Sequence, residues 1–207
     1  MNRRLAFFDV DSRELNPSGD ALSFRPRIEP LADRLQRLYA FAGMHGAPLV
    51  FTTCCSGRML KPDSLSGILF VPLDPESKDW LGGVGSHRMF YVEKNAHGNA
   101  SKNYVCRAFD VFATNGNAAR LARSLSPDEW VVFGNGFDLC VSGVVHGLLD
   151  AGQRVCLLAD VTCPSAPGYG PDGKSGTEEN RRRILAELTA LGVRVSSIED
   201  VLSDCGS

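Results

Sequence analysis

Residues 130–151 (WVVFGNGFDLCVSGVVHGLLDA) constrain the fold more than any other part of the chain. They begin with a short apolar run, which is typical of a strand buried on both faces of a parallel sheet. The turn Gly134-Asn135-Gly136 follows, and from Cys140 onward the apolar residues recur at helical spacing. The segment therefore predicts a strand, a tight turn and a helix, with Cys140 near the first turn of that helix.

A cysteine at this position has two possible roles. The unpaired N–H groups and the dipole at a helix N-terminus favour a thiolate, which makes Cys140 a candidate nucleophile. Many buried cysteines are instead inert core residues, and this stretch alone leaves both roles open.

Composition and charge describe one ordinary α/β domain. The 207 residues are 43% hydrophobic and 22% charged, so we predict a single domain over residues 1–207 with a sizeable core. The net charge of −2 gives no reason to expect nucleic acid or a membrane as a partner. The first apolar run, residues 5–8, is too short for a signal peptide or a transmembrane helix. The seven cysteines form no CxxC motif, so we expect a cytoplasmic protein with reduced thiols.

The apolar patterns of the rest of the chain predict a three-layer, doubly wound, mostly parallel six-stranded sheet with helices on both faces. The other five strands are predicted at residues 5–8, 48–53, 88–93, 154–158 and 193–195. Helices are predicted at residues 26–45, at 117–125 and after the N-cap candidate Thr177, with Leu191 in the buried stripe of the last. Residues 60–86 and 160–176 are interpreted as long loops at the ligand-binding edge, although the first contains the apolar run 68–71.

Reactive side chains stand at the ends of three predicted strands. Asp9 follows the first strand, Lys94 follows the third, and Cys140 follows the fourth. Because the carboxyl ends of parallel strands meet at one edge, where open α/β folds bind ligands, we expect these residues to form a site.

With these residues in place, the chain resembles the isochorismatase-like cysteine hydrolases, the family that includes the nicotinamidases. The matching pieces are FFDVDSRELNPSGDAL, FYVEK, GNGFDLCVSGVVHGLLDAGQRVCLLADVT and TEENRRRILAELTALGVRVSSIEDVL. The resemblance implies a catalytic triad of Asp, Lys and Cys, which falls on Asp9, Lys94 and Cys140, with Lys102 as an alternative lysine.

The roles of the triad follow from the resemblance. Cys140 is expected to be the nucleophile that forms a thioester, and Asp9 the group that transfers protons. The family also implies a non-proline cis peptide at Asn135–Gly136. That bond would turn the Gly136 N–H toward the same point as the Cys140 N–H and so form an oxyanion hole.

Two departures from the family pattern bear on the substrate. The family often has Gln two residues after the Asp, where this chain has Asp11. The Asp-x-His metal site that nicotinamidases carry after the second strand is replaced by TCCSG. We therefore expect no metal or other cofactor, and a substrate other than nicotinamide, although Cys54 and Cys55 leave one metal or disulfide open.

The expected substrate is a small amide or a related metabolite. Its pocket is predicted to be lined by Asp11, Leu15, Cys54, Cys55, Trp80 and Phe137. The resemblance also implies a homo-oligomer, either a dimer or a tetramer.

Two alternatives belong to other classes. The stretch LAFFDVD also looks like the first motif of haloacid dehalogenase-type phosphatases, which use two aspartates, here Asp9 and Asp11, and magnesium. Against this, Ser12-Arg13 replaces the usual Gly-Thr, and Asn135 stands where an acidic magnesium ligand is needed. The second alternative is a non-enzymatic small-molecule binder on the same fold.

Overall fold

The computed structural model describes residues 3–12, 28–52, 68–71, 88–92, 94, 110–165, 167 and 173–204. Seven strands form one sheet in the order β3-β4-β2-β1-β5-β6-β7, and every neighbouring pair is parallel. The strands are β1 Leu5–Val10, β2 Leu49–Thr52, β3 Ile68–Val71, β4 Met89–Val92, β5 Glu129–Asn135, β6 Val155–Cys163 and β7 Arg194–Ser196.

Helices cover both faces of this sheet. They are α1 Ala32–Met44, α2 Val111–Thr114, α3 Gly116–Leu125, α4 Ser142–Asp150, α5 Glu178–Ala190 and α6 Ile198–Asp204. A single 3₁₀ turn, Glu29–Leu31, precedes α1, and a π-helical turn, Phe137–Val141, leads into α4.

The alternation of side chains along β1 divides the core into two clusters. Phe8 and Val10 belong to the first core cluster, which includes Val144 and Leu148 of α4. The second core cluster lies on the other face and combines β1, β5, α1 and α6 through Leu5, Phe7, Leu35, Leu38, Val131, Phe133, Ile198 and Val201. The predicted fold class, a doubly wound parallel sheet with helices on both faces, is therefore confirmed.

The predicted number of six strands is wrong, because the apolar run Ile68–Val71 forms a seventh strand at the edge of the sheet. It pairs in parallel with β4. Four apolar residues between polar, proline-rich segments carry no periodicity that separates a strand from a loop, so the assignment depends on the partner strand.

The local signals around α5 are mostly confirmed. The Thr177 side chain caps the helix by accepting a hydrogen bond from the Asn180 N–H at 3.2 Å. Leu191, predicted in the buried stripe, is 53% exposed because the helix ends before it.

Gly134 of β5 lies beside Val10 of β1, with no room for a side chain, and it generates the first prediction. Its φ is +127°, and a Cβ there would lie 2.1 Å from the Val10 carbonyl oxygen. Gly134→Ala is therefore expected to lower the free energy of unfolding by about 4 kcal/mol or more, measured by urea denaturation. The matched control Gly43→Ala, in α1 with no atom within 4 Å, is expected to raise it by about 0.5–1 kcal/mol. Equal effects of the two changes would contradict the close approach of β1 and β5.

Candidate active site

Four candidate residues lie buried at or beyond the carboxyl ends of neighbouring strands. Their exposed fractions are 0% for Asp9, 3% for Asp11, 2% for Lys94 and 5% for Cys140. These residues end or follow the strands β4, β1 and β5. In the sheet, β5 is next to β1, and β2 lies between β1 and β4. The fold therefore brings the predicted residues to one edge of the sheet.

Cys140 lies in the first turn of a helix, as the sequence predicted. Gly136 adopts a left-handed conformation with φ 80°, and the chain then enters the turn Phe137–Val141. The Gly136 carbonyl accepts hydrogen bonds from the Leu139 N–H at 2.9 Å and the Val141 N–H at 3.0 Å. The Cys140 side chain forms no disulfide and belongs to the first core cluster, at the end of a helix where the dipole favours a thiolate.

Lys94 forms a buried ion pair with Asp11. The hydroxyl of Thr52 donates a hydrogen bond to the other carboxylate oxygen of Asp11 at 3.0 Å. The Asp11 N–H donates to the Thr52 carbonyl at 3.1 Å, so the pairing with β2 continues one residue beyond the end of β1. Because a buried ammonium is costly without an opposite charge, Asp11 stabilises the charged form of Lys94 in this site.

Asp9 accepts hydrogen bonds from α1 and from the turn after β1. Its carboxylate accepts hydrogen bonds from the Tyr39 hydroxyl at 2.5 Å and from the Ser12 N–H at 3.3 Å. Tyr39 belongs to α1, where the helical spacing of residues 35, 38, 39 and 42 indicates only an apolar stripe. Nothing in helical spacing distinguishes a tyrosine that packs from one that donates to a carboxylate.

The alternation of side chains relates the two aspartates to Cys140. Asp9 and Phe7 are two residues apart in β1, so their side chains lie on the same face of the sheet. Phe7 belongs to the second core cluster, beside α1. Thr52, the partner of Asp11, is two residues from Val50 in β2, so these two side chains also share a face. Val50 belongs to the first core cluster, which contains Cys140. Asp11 is free to turn toward Thr52 because its backbone is left-handed, with φ 53°. The pair of Asp11 and Lys94 is therefore on the face of the sheet that carries the thiol.

Asp138 connects the turn that carries Cys140 to the segment between β6 and α5. Its carboxylate accepts hydrogen bonds from the Ser165 N–H at 2.9 Å, the Gly176 N–H at 2.8 Å and the Asn180 side chain at 3.1 Å. Burial by itself raises the pKa of Asp138, but the hydrogen bonds from Ser165 and Gly176 outweigh it and hold the pKa below the usual range. The dipole of the Ser165 hydroxyl contributes to this lower pKa, although its geometry with Asp138 falls short of a hydrogen bond.

The predicted cis peptide at Asn135–Gly136 is wrong, because the structure has a trans bond there. The tight turn is made instead by the positive φ of Gly136, which glycine adopts without steric cost. The cis bond was the reason to expect the Gly136 N–H in an oxyanion hole, so that expectation loses its basis. The Cys140 N–H, in the first helical turn, stays the predicted donor.

The remaining predicted residues divide into two groups. Phe137 is fully buried in the first core cluster, and the Arg181 guanidinium lies 5.0 Å from the centre of its ring. Packing and this cation–π contact account for the ring, and its role in a substrate pocket stays a prediction. The others lie outside the described residues: Leu15, Cys54, Cys55, Trp80 and Lys102.

The described part of the chain contains neither a metal-ligand cluster nor a membrane-spanning helix. Within it, no three His, Cys, Asp or Glu side chains are grouped so that they could hold a metal ion. Its helices are all too short or too polar to cross a membrane.

Asp138 gives the second prediction. Because its pKa is lower in the folded than in the unfolded protein, the carboxylate stabilises the fold above about pH 4, and this stabilisation is lost as the pH falls through the folded-state pKa. Asp138→Asn is expected to lower the free energy of unfolding by about 1 kcal/mol at pH 7 and to flatten its decrease below pH 4. Urea denaturation at pH 7, 5, 4 and 3 measures both effects, with Asp150→Asn at an exposed position as the control. A parallel shift of the whole profile would contradict the low pKa.

No protein-family model and no curated protein sequence matches the chain. Solved structures do resemble it. The nicotinamidase of Staphylococcus aureus is 15% identical with a TM-score of 0.55, over 94% of this chain and 99% of that one. N-carbamoylsarcosine amidase from Thermoplasma acidophilum is 15% identical with a TM-score of 0.56, over 94% of this chain and 96% of that one. An isochorismatase-like hydrolase from Alkaliphilus metalliredigens is 17% identical with a TM-score of 0.57, over 98% and 97%. The chain therefore has the fold of the isochorismatase-like hydrolases.

Proposed function

We propose that this protein is a cysteine-dependent hydrolase that cleaves the C–N bond of a small amide or a related metabolite. The observation that carries the proposal is the buried ion pair of Lys94 and Asp11, at the sheet edge where Cys140 occupies the first turn of a helix. Structures of the same fold include a nicotinamidase and an N-carbamoylsarcosine amidase, which supports amide hydrolysis as the reaction class.

The proposed carboxylate is Asp11 rather than Asp9. A thiolate nucleophile needs a nearby cation to stabilise it and a carboxylate to receive its proton. Lys94 supplies the cation, and Asp11 is the carboxylate in its ion pair, whereas Asp9 accepts a hydrogen bond from Tyr39 of α1. We therefore propose Asp11 for the proton-transfer role that the resemblance implied for Asp9, and Asp9 stays the alternative carboxylate.

The reaction then runs in two steps. The Cys140 thiol gives its proton to Asp11, the thiolate attacks the amide carbonyl carbon, and the oxyanion is stabilised by the Cys140 N–H. The C–N bond breaks, the leaving amine takes the proton from Asp11, and a thioester remains. Asp11 next removes a proton from water and the hydroxide attacks the thioester carbonyl carbon. The C–S bond breaks, the carboxylic acid leaves, and the Cys140 thiolate takes the proton back from Asp11.

The magnesium-dependent phosphatase alternative has no comparable support. It requires Asp9 and Asp11 to share one metal ion. In the structure, Asp11 is neutralised by Lys94, and Asp9 accepts hydrogen bonds from Tyr39 and Ser12. Asn135, which is neutral, ends β5 where a further acidic ligand would be needed.

The substrate is proposed to be a small molecule. The cytoplasmic location and the homo-oligomer stay predictions. Among the described residues, large exposed apolar side chains are found at Met44, Leu191 and Val195.

The third prediction tests the nucleophile. Cys140→Ala is expected to abolish hydrolysis across a panel of small primary amides, with a loss of at least about a thousandfold in kcat/KM. Iodoacetamide is expected to inactivate the wild type with the label mapped to Cys140, whereas EDTA leaves the activity unchanged. Cys156 is an internal control for labelling, since burial raises the pKa of its thiol to about 12 and it stays protonated. Full activity in Cys140→Ala, or inactivation by EDTA alone, would contradict the proposal.

A further inference from the structure

The turn that carries Cys140 is held by more than its own main chain. It is a π-helical turn, Phe137–Val141, and turns of this kind are rare and occur mostly at functional sites. Asp138, two residues before Cys140, extends its carboxylate from the turn toward the segment that follows β6. The position of the thiol therefore depends on contacts with a distant part of the chain.

Both oxygens of the Asp138 carboxylate accept hydrogen bonds from outside the turn. Oδ1 accepts from the Ser165 N–H at 2.9 Å, and Oδ2 accepts from the Gly176 N–H at 2.8 Å and from the Asn180 side-chain amide at 3.1 Å. The three donors are 27, 38 and 42 residues away along the chain. Because they approach two different oxygens of an ionised group, they fix both the position and the orientation of the carboxylate.

The donors in α5 are themselves held in place. Asn180 is 7% exposed in the first turn of α5, and Arg181 beside it donates to a carbonyl of β6 at 3.0 Å. The Arg181 guanidinium also lies 5.0 Å from the centre of the Phe137 ring. Two consecutive residues of the turn, Phe137 and Asp138, therefore contact two consecutive residues of α5.

The charge of Asp138 does not by itself help the nucleophile. A negative charge two residues from a thiol disfavours the thiolate, whereas the proposed reaction needs the thiolate. The thiolate of Cys140 is stabilised by the N-terminus of its helix and by the charge of Lys94, and both effects weaken with distance. A shift of about 1 Å in a reacting group can cost about a hundredfold in rate. The contribution that remains for Asp138 is to fix the turn.

We propose that Asp138 is a positioning residue for the nucleophile. It fixes the turn Phe137–Val141 to α5 and to the segment that follows β6, and so keeps the Cys140 thiol at the start of its helix, on the face of the sheet that carries Lys94. In this role Asp138 touches no reacting atom and acts through the turn. This inference rests on the proposed cysteine hydrolase function and concerns how its nucleophile is held.

Two substitutions loosen this contact in different ways. Asp138→Asn leaves one acceptor oxygen, so its NH2 group must face an N–H donor, and it also removes the charge. Asn180→Ala removes one donor and leaves all charges in place. With the best substrate of the amide panel, Asp138→Asn is expected to lower kcat at least about tenfold and Asn180→Ala about threefold. KM is expected to change less than about twofold in both, since no contact with the substrate is removed.

The rate at which iodoacetamide labels Cys140 reports the state of the thiol without requiring turnover. Measured from pH 6 to pH 10, this rate gives the thiol pKa. Asn180→Ala is expected to raise the thiol pKa and to slow labelling at pH 7 about twofold or more, because the thiol is held less well at the helix N-terminus. A purely electrostatic role of Asp138 predicts a different pattern, with a lower thiol pKa in Asp138→Asn and no change in Asn180→Ala.

Asp160→Asn is the matched control. The Asp160 carboxylate also accepts a main-chain hydrogen bond, from the Ile198 N–H at 3.1 Å. Ile198 belongs to the second core cluster, on the face of the sheet away from Cys140, so this variant is expected to change neither kcat nor labelling. Urea denaturation measures how much stability each variant loses. A purely structural role of Asp138 predicts that the folded Asp138→Asn and Asn180→Ala proteins keep the wild-type kcat and labelling rate, as the control does.

The outcomes separate this inference from the proposed function. Unchanged kcat and labelling in both variants, or an effect confined to KM, would overturn the positioning role alone, as long as Cys140 is still required for hydrolysis. Hydrolysis that persists in Cys140→Ala would instead overturn the proposed function. If circular dichroism shows that Asp138→Asn does not fold, Asn180→Ala decides the question with the same two measurements.

Discussion

The buried ion pair of Lys94 and Asp11 is the interaction on which the proposed site depends. Removing either partner would leave an uncompensated charge in the interior, which is far more costly than losing an exposed ion pair. The pair joins the ends of β4 and β1, and Thr52 of β2, the strand between them, completes the hydrogen bonding of Asp11. Three strands must therefore be in register before the charges are compensated, and β5 next to them supplies the turn of Cys140.

The same edge holds most of the unfavourable features that the structure describes. Asp11 has a positive φ, Gly134 touches the backbone of β1, and buried polar atoms of Asn135 and Ser165 lack partners. Strain and unsatisfied groups of this kind persist where the surrounding structure fixes them, and they are common at functional sites. The two core clusters, on opposite faces of the sheet, provide the apolar burial that offsets them.

The features that were predicted correctly from the sequence are those that a single short segment encodes. Residues 130–151 carry a buried strand, a glycine turn and a helical stripe within one stretch, so the position of Cys140 followed without knowledge of the rest. The partner of Lys94 did not follow, because Asp9 and Asp11 are two residues apart and their difference lies in the left-handed backbone of Asp11. The Tyr39 contact with Asp9 and the pairing of Ile68–Val71 with β4 depend on distant segments in the same way.

A comparison of Asp9→Asn with Asp11→Asn tests the central claim most directly. Both aspartates are buried, and each change replaces the carboxylate by an amide of the same size. With amide hydrolysis as the readout and circular dichroism to confirm folding, Asp11→Asn is expected to lower kcat about a hundredfold or more, as loss of a proton-transfer group does. Asp9→Asn, which keeps an acceptor for Tyr39, is expected to lower kcat less than about tenfold. The reverse order, with Asp9→Asn inactive and Asp11→Asn active, would contradict the assignment of Lys94 and Asp11 as the pair that serves Cys140.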